Sequence, residues 1–175
     1  TGASAIQFVP RIAHQAKRLV LFQRTPPWIL PRGDRAIRQG WKRLYGKSRL
    51  AQKLVRGLTY LQMESRALGL SRYPVLLRIM EKRARRHIAA GIGDKILREQ
   101  VTPRYRLGCK RVLLSDDYYP ALARQNVQLE TAAIEKVQEQ GVSLDNGEFV
   151  GLDVLVHGTG FQATSPVPVG MIFGR

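Results

Sequence analysis

The sequence has a single cysteine, Cys109, so it forms no internal disulfide and no cysteine-based metal cage. It is poor in aromatic residues, at 7%, and poor in acids: 13 Asp and Glu stand against 29 Lys and Arg. No run approaches the roughly 18 consecutive apolar residues of a membrane span. No cationic stretch followed by an apolar one and a cleavage site opens the chain, so no secretory signal is expected. With one cysteine and no such signal, the expected location is cytoplasmic. The chain starts at Thr1 with no Met beside it and ends at Gly174-Arg175, and the expectation is a piece of a longer protein.

What is present is enough for one ordinary domain: 175 residues, of which 44% are hydrophobic. The net charge of +16 is unevenly spread. Residues 32–106 hold 20 Lys and Arg and 5 Asp and Glu, while the flanks are nearly balanced. Such a segment has three readings. It tracks phosphates, it lies on an anionic membrane as amphipathic helices, or it is a solvated helical face. No zinc-finger spacing and no aromatic–basic RNA-binding pattern is present, so no nucleic-acid partner is expected.

Apolar residues Ile6, Val9, Ile12, Ala13 and Ala16 recur at helical spacing and predict a helix over 4–17, loosened at Pro10. Residues 18–23 (RLVLFQ) predict a buried strand. Three prolines and a glycine make 25–33 a loop. Helices are expected over 35–46, capped by Asp34, over 48–68, over 74–90 and over about 93–100. Residues 101–110 read as loop, with Gly108 free to take a positive φ. Residues 111–114 read as a short extended piece. A short helix capped by Asp116 or Asp117 runs to Arg124. The tail reads as β: strands at 127–130 and 133–138, a hairpin about Asp145-Asn146-Gly147, and an apolar strand at 152–157 (LDVLVH).

The residues with chemical potential are few. Thr1-Gly2-Ala3-Ser4-Ala5 precedes a helix and reads as the end of G-x-G-x-x-G/A, with Ala5 in the third place. Such a turn brings backbone amides to a pyrophosphate at a helix N-terminus; a plain helix cap is the other reading. Arg24 follows the next strand, 22 residues past Gly2, where a dinucleotide-binding unit meets the adenosine ribose. An acid there suits NADH. Arginine forms a bidentate pair with a 2′-phosphate and Thr25 adds a hydroxyl, which favours NADPH; a solvated arginine is the alternative. Gly108-Cys109-Lys110-Arg111 places two cations after a glycine turn. One suits a phosphate and the other a centre that develops negative charge, unless both are surface cations.

Other groups are weaker. His14, His87 and His157 have no ligand spacing, Cys109 has no base beside it, and Asp116-Asp117 suits a helix cap better than a carboxylate pair. Trp28 and Trp41 either line a channel or pack.

Taken in order, the sequence resembles the class B flavoprotein monooxygenases, in particular the Baeyer–Villiger monooxygenases. The matching stretches are Thr1-Gly2-Ala3-Ser4-Ala5-Ile6-Gln7, Phe22-Gln23-Arg24-Thr25-Pro26, Gly108-Cys109-Lys110-Arg111, Asp117-Tyr118-Tyr119, Asn126-Val127 and Gly158-Thr159-Gly160-Phe161. The resemblance implies an α/β fold: a Rossmann-like NADP-binding domain with a helical insert, within a flavoprotein of two dinucleotide-binding domains. It divides the chain into 1–31 (start of the NADP domain), 32–106 (basic helical insert), 107–150 (remainder) and 151–175 (return toward the FAD domain). It implies an enzyme that uses FAD, NADPH and O2 to insert oxygen beside the carbonyl of a ketone through a C4a-peroxyflavin. Thr1, Gly2, Ala3 and Ser4 would cradle the NADP pyrophosphate. Arg24, Thr25 and Lys110 would bind the 2′-phosphate, and Arg111 would be the catalytic cation. Thr159 and Gly160 would lie toward FAD.

His157-Gly158 departs from the family's usual aromatic or aliphatic residue followed by Ala. The family's flavin-binding glycine motif and its His and Trp-Pro fingerprint do not occur in the chain, which alone is expected to be inactive. N- or S-oxygenation by the same chemistry is an alternative. So is a non-catalytic module whose basic helices bind an anionic membrane or polyanion; peripheral membrane contact is a partner expectation under either reading.

Overall fold

A computed structural model describes residues 2–71 and 74–159. The chain is mixed α/β, with parallel and antiparallel strand pairs. Helix α1 (Ala5–Ile12) buries Ala5, Ile6, Val9 and Pro10 on one face. Its hydrogen bonding loosens into a turn over residues 13–16, so it is shorter than the 4–17 the apolar spacing predicts. Pro10 lies inside it on the buried face, where it leaves the Ile6 carbonyl without its i→i−4 amide donor.

Strand β1 (Leu19–Phe22) follows directly and pairs in parallel with β4 (Val127–Glu130), Leu19 opposite Val127 and Phe22 opposite Glu130. It is half-buried rather than fully buried, because β4 is its one strand partner among the described residues. The proline-rich stretch is not all loop. Ile29–Leu30 form β2, paired in parallel with β3 (Leu113–Leu114). Trp28 carbonyl accepts from Leu113 N–H at 2.9 Å, and Leu30 carbonyl from Ser115 N–H at 3.1 Å. Prolines 26, 27 and 31 flank the pair without interrupting its ladder.

Four helices follow: α2 (Gln39–Lys47), α3 (Arg49–Ser71), α4 (Pro74–Gly91) and α5 (Lys95–Val101). Asp34 does not cap the first of them. It pairs with Arg32 at 3.2 Å, while Gly33 takes a φ of 65° and turns the chain, so α2 starts later, after Arg38. Asp94 does cap α5, accepting from Ile96 and Leu97 N–H. Gly108 has a φ of 103°, as its turn requires.

Helix α6 (Tyr118–Leu122) is short. Asp117 stands at its N-cap but makes no capping bond; Ser115 Oγ accepts from Tyr118 N–H instead and donates to Asp117 Oδ1 at 2.8 Å. Asp116 serves another purpose: it accepts from the amides of Arg32 and Gly33, each at 2.9 Å, and so fixes the exit from β2. These backbone bonds, Gly33 foremost, hold its carboxyl below the usual range.

Strands β5 (Ile134–Gln138), β6 (Gly141–Leu144) and β7 (Phe149–Gly151) form an antiparallel sheet around the Asp145-Asn146-Gly147 turn, where Gly147 has a φ of 85°. The expected strand at 152–157 does not form. A strand needs a ladder partner, and none faces this stretch among the described residues; Val154 is 74% exposed.

The main core joins α1, β1, β4, β2, β3 and α6 to the ends of α4 and α5 through Ile6, Val9, Ile29, Ile88, Ile92, Val101, Leu113, Tyr118, Tyr119 and Leu122. Gly91 allows this closure: a Cβ there would stand 2.6 Å from that of Tyr119. A second cluster seats Trp28 and Leu30 against Leu77, Ala84 and Leu107. No described helix is long and apolar enough to cross a membrane.

Candidate functional site

Helix α1 runs straight into β1 and packs back on β1 and β4 through Ile6, Val9, Leu19, Leu21 and Leu129. A helix connected in this way runs antiparallel to its strand, so the N-terminus of α1 and the C-terminal end of β1 share one edge. Gly2, Ala3 and Ser4 precede the first turn of α1, and Arg24 and Thr25 follow the end of β1, so connectivity places both groups at that end of the unit. Thr1 lies outside the described residues.

Ala3 and Ser4 are exposed and Ser4 makes no side-chain cap; Ile6 and Gln7 N–H donate to the carbonyls of Gly2 at 3.2 Å and Ser4 at 3.0 Å, so the amides without a partner among the described residues are those of Ala3, Ser4 and Ala5. A Cβ at Gly2 would meet nothing within 4 Å, so the approach to this turn is open. Arg24 is exposed, one residue past Gln23, whose N–H donates to Glu130 carbonyl at 2.8 Å and ends the parallel ladder. Asn126 braces the opposite end of the unit, where α1 ends and β1 and β4 begin. Its Nδ2 donates to the carbonyls of Ala13 at 2.9 Å and Ala16 at 2.8 Å, tying the end of α1 to the start of β4. The tail also returns here: a Cβ at Gly158 would stand 3.2 Å from the Phe8 ring and 4.0 Å from Ala5 Cβ. Thr159 is exposed beside it, and Gly160 lies outside the described residues.

The cation pair comes from a different element. Lys110 and Arg111 are exposed just before β3. The turn that carries them is anchored behind, where Glu81 of α4 accepts from Leu107 N–H at 2.9 Å and Cys109 N–H donates to Arg106 carbonyl. Lys110 Nζ sits over the Tyr105 ring, 5.0 Å from its centroid. Trp28 Nε1 donates to the Tyr105 carbonyl at 2.9 Å, and the Arg85 guanidinium of α4 lies over the indole, 5.3 Å from its centroid. Trp28 is only three residues past Thr25, a reach of at most about 11 Å along the chain. Trp28 thus links the segment after Arg24-Thr25 to the turn that carries Lys110. Arg24, Lys110 and Arg111 have no carboxylate partner among the described residues; the one ion pair there is Arg32–Asp34.

The remaining candidates do not gather. His87 Nε2 meets Ser115 carbonyl at 2.8 Å and its ring packs edge-on against Tyr119. No metal-binding group of His, Cys, Asp or Glu occurs among the described residues. Trp28 packs and is 1% exposed, whereas Trp41 is on the surface against Tyr45. Burial pushes the phenols of Tyr118, Tyr119 and Tyr105 up from their ordinary value, so all three stay neutral. Reading the sequence missed Tyr105, Arg85, Glu81 and the capping role of Asn126. Apart from Lys110, five residues past Tyr105, their partners lie 26 to 113 residues away, and no spacing rule connects them.

No family model matches the chain. Individual proteins do. The chain is 47% identical over 175 residues to a Baeyer–Villiger monooxygenase of Pseudomonas aeruginosa, covering all of this chain and 33% of that protein. It is 43% identical over 164 residues to a Baeyer–Villiger monooxygenase of Streptomyces coelicolor, covering 94% of this chain and 32% of that protein.

The chain is homologous to a segment of the Baeyer–Villiger monooxygenases.

It spans about a third of the length of the monooxygenases it matches. Solved structures agree. A steroid monooxygenase in its oxidized form, bound to NADP, superposes with a TM-score of 0.64 at 28% identity, over 87% of this chain and 35% of that one. A complex of OTEMO with FAD and NADP superposes with a TM-score of 0.71 at 23% identity, over 92% of this chain and 36% of that one, and supports the fold.

Proposed function

We propose that this chain is the NADP-binding part of a Baeyer–Villiger monooxygenase, and that the full-length protein uses NADPH, FAD and O2 to convert a ketone into an ester or lactone. The observation that carries this reading is the 47% identity to such a monooxygenase across the whole chain. The domain plan goes with it: a Rossmann-like unit begins at 1–31, is interrupted by the basic helices of 32–106, and resumes over 107–150. Residues 151–175 lead toward the flavin domain.

The residues fit the cofactor. The amides of Ala3, Ser4 and Ala5, without a partner among the described residues, suit a pyrophosphate, which takes backbone amides and the helix dipole as partners. Arg24, with Thr25 and Lys110, would bind the dianionic 2′-phosphate. Arg111 keeps its charge at any working pH and suits an anionic reaction centre. Thr159, beside the first turn of α1, and Gly160 would lie toward the flavin. When bound, NADPH supplies the hydride and FAD the activation of oxygen; this chain orients the first and offers fixed positive charge to the second.

The decisive experiment is charge reversal in the full-length protein. Arg24→Glu should weaken NADPH binding roughly 10- to 100-fold, as expected for a lost charge-assisted contact, and leave NADH binding nearly unchanged. Equal losses for both cofactors would refute the phosphate assignment. Arg111→Ala should retain FAD and lose ester formation.

A second reading concerns the basic helices. Leu50, Leu54, Leu58 and Leu61 form one stripe along α3 and are 61 to 67% exposed, in a region with six cations and one acid between residues 39 and 65. This pattern suits the headgroup region of an anionic bilayer. Sedimentation with anionic vesicles that weakens with salt, and fails in Leu54→Glu/Leu58→Glu, would support it. No sedimentation at low salt would sink it.

A further inference from the structure

The helical segment does more than fill space between two halves of a nucleotide-binding unit. Helix α4 reaches the turn that carries Lys110 at three points. Glu81 accepts from Leu107 N–H at 2.9 Å. Leu77 and Ala84 pack with Leu107, Trp28 and Tyr105. Arg85 stacks over Trp28 at 5.3 Å, and Trp28 Nε1 in turn holds the Tyr105 carbonyl at 2.9 Å. The last member of this stack is Lys110, whose ammonium stands 5.0 Å from the Tyr105 ring centroid. Every layer below Lys110 is fixed from behind, while Lys110 itself is exposed.

We propose that Tyr105 is a positioning residue: its ring, clamped by Trp28 and α4, holds Lys110 in the orientation that receives the cofactor's 2′-phosphate. The physical argument is entropic. A lysine side chain is long and loses much rotamer freedom when it binds a ligand. A ring face that attracts the ammonium removes part of that freedom in advance. Lysine acts as a point charge without the fork of arginine, so an external guide is what gives it direction. The proposal rests on the reading of Lys110 as a 2′-phosphate contact. It makes α4 a determinant of cofactor choice although α4 contributes no residue to the phosphate site.

The test measures NADPH and NADH dissociation constants in the full-length, FAD-loaded protein. Lys110→Met should abolish most of the preference for NADPH. Tyr105→Leu should reduce that preference about 2- to 5-fold, the size expected of an exposed cation–π contact. Tyr105→Phe, which keeps the ring, should leave it intact. The shape of the ring is separated from its charge distribution by fluorinated phenylalanines at position 105, which preserve packing and drain the negative face. A stepwise loss of NADPH preference along that series, absent when Lys110 is already Met, supports the proposal, and a merely structural role for the ring would not produce it. A flat series, or tighter NADPH binding as fluorine is added, overturns the positioning role alone. Lys110→Met with unchanged preference overturns the phosphate assignment, and the positioning role falls with it.

Discussion

Helices α3 and α4 are neighbours in sequence and opposites in physics. Helix α4 ends inside the molecule: Leu77, Ala84 and Ile88 are buried, and Gly91 lets its last turn meet α6. Among the described side chains of α2 and α3 none is buried, and four leucines of α3 stand in solvent. Both α3 and α4 are basic and apolar at helical spacing. Amphipathic patterning therefore says that a helix has a face to bury, and leaves open what buries it. The difference lies in what each face meets. The ladder of β2 with β3, the Trp28 indole and α6 all stand opposite α4, and no strand or core cluster includes a described residue of α3.

The sharpest way to test this contrast is to remove one apolar side chain from each helix in the full-length protein. Ile88→Ala should cost about 2–5 kcal/mol of stability through the cavity it leaves. Leu58→Ala should cost within about 0.5 kcal/mol if its face is solvated. A large loss at Leu58, read from urea unfolding, would show that a further part of the protein covers α3 and would end the contrast. A smaller effect is expected at the end of α1 opposite the candidate site. Asn126→Ala strips two carbonyls of their donor and should lower stability by about 1–2 kcal/mol. Because α1 is then less firmly tied to β4, NADPH should bind more weakly with no change in its preference over NADH.

The smallest effect concerns pH. Asp116 has its carboxyl pKa lowered by backbone amides, Gly33 first. A depressed carboxylate stabilises the fold above its unfolded pKa, near 4, and that contribution fades as pH falls through the folded value. The stability gap between wild type and Asp116→Asn should therefore narrow as pH drops below about 4. A gap independent of pH would assign the effect to packing.

The local structure around the candidate residues was legible in the sequence, because they sit at element ends that carry their own signals. The glycine turn precedes an apolar helix, Arg24-Thr25 ends an apolar run, and Gly108 announces a turn before Lys110-Arg111. The hairpin at Asp145-Asn146-Gly147 was equally plain. The stretch 152–157 was misread as a strand for the converse reason. Apolar alternation supplies only one side of a ladder, and the partner is a tertiary fact. The same holds for the prolines at 26, 27 and 31: they read as loop, yet two residues between them pair with Leu113-Leu114 because that strand is brought alongside.

By itself, then, the sequence determined the helices, most of the strands, the charge asymmetry and the order of the candidate motifs. Each of these depends on side chains within one or two turns of the chain. Only the tertiary structure decided which amphipathic helix is buried, which acid anchors which amide, and that Tyr105, Trp28 and Arg85 stack beneath Lys110. Such contacts join residues that sequence separation leaves independent, and they form only where packing brings two surfaces to van der Waals distance.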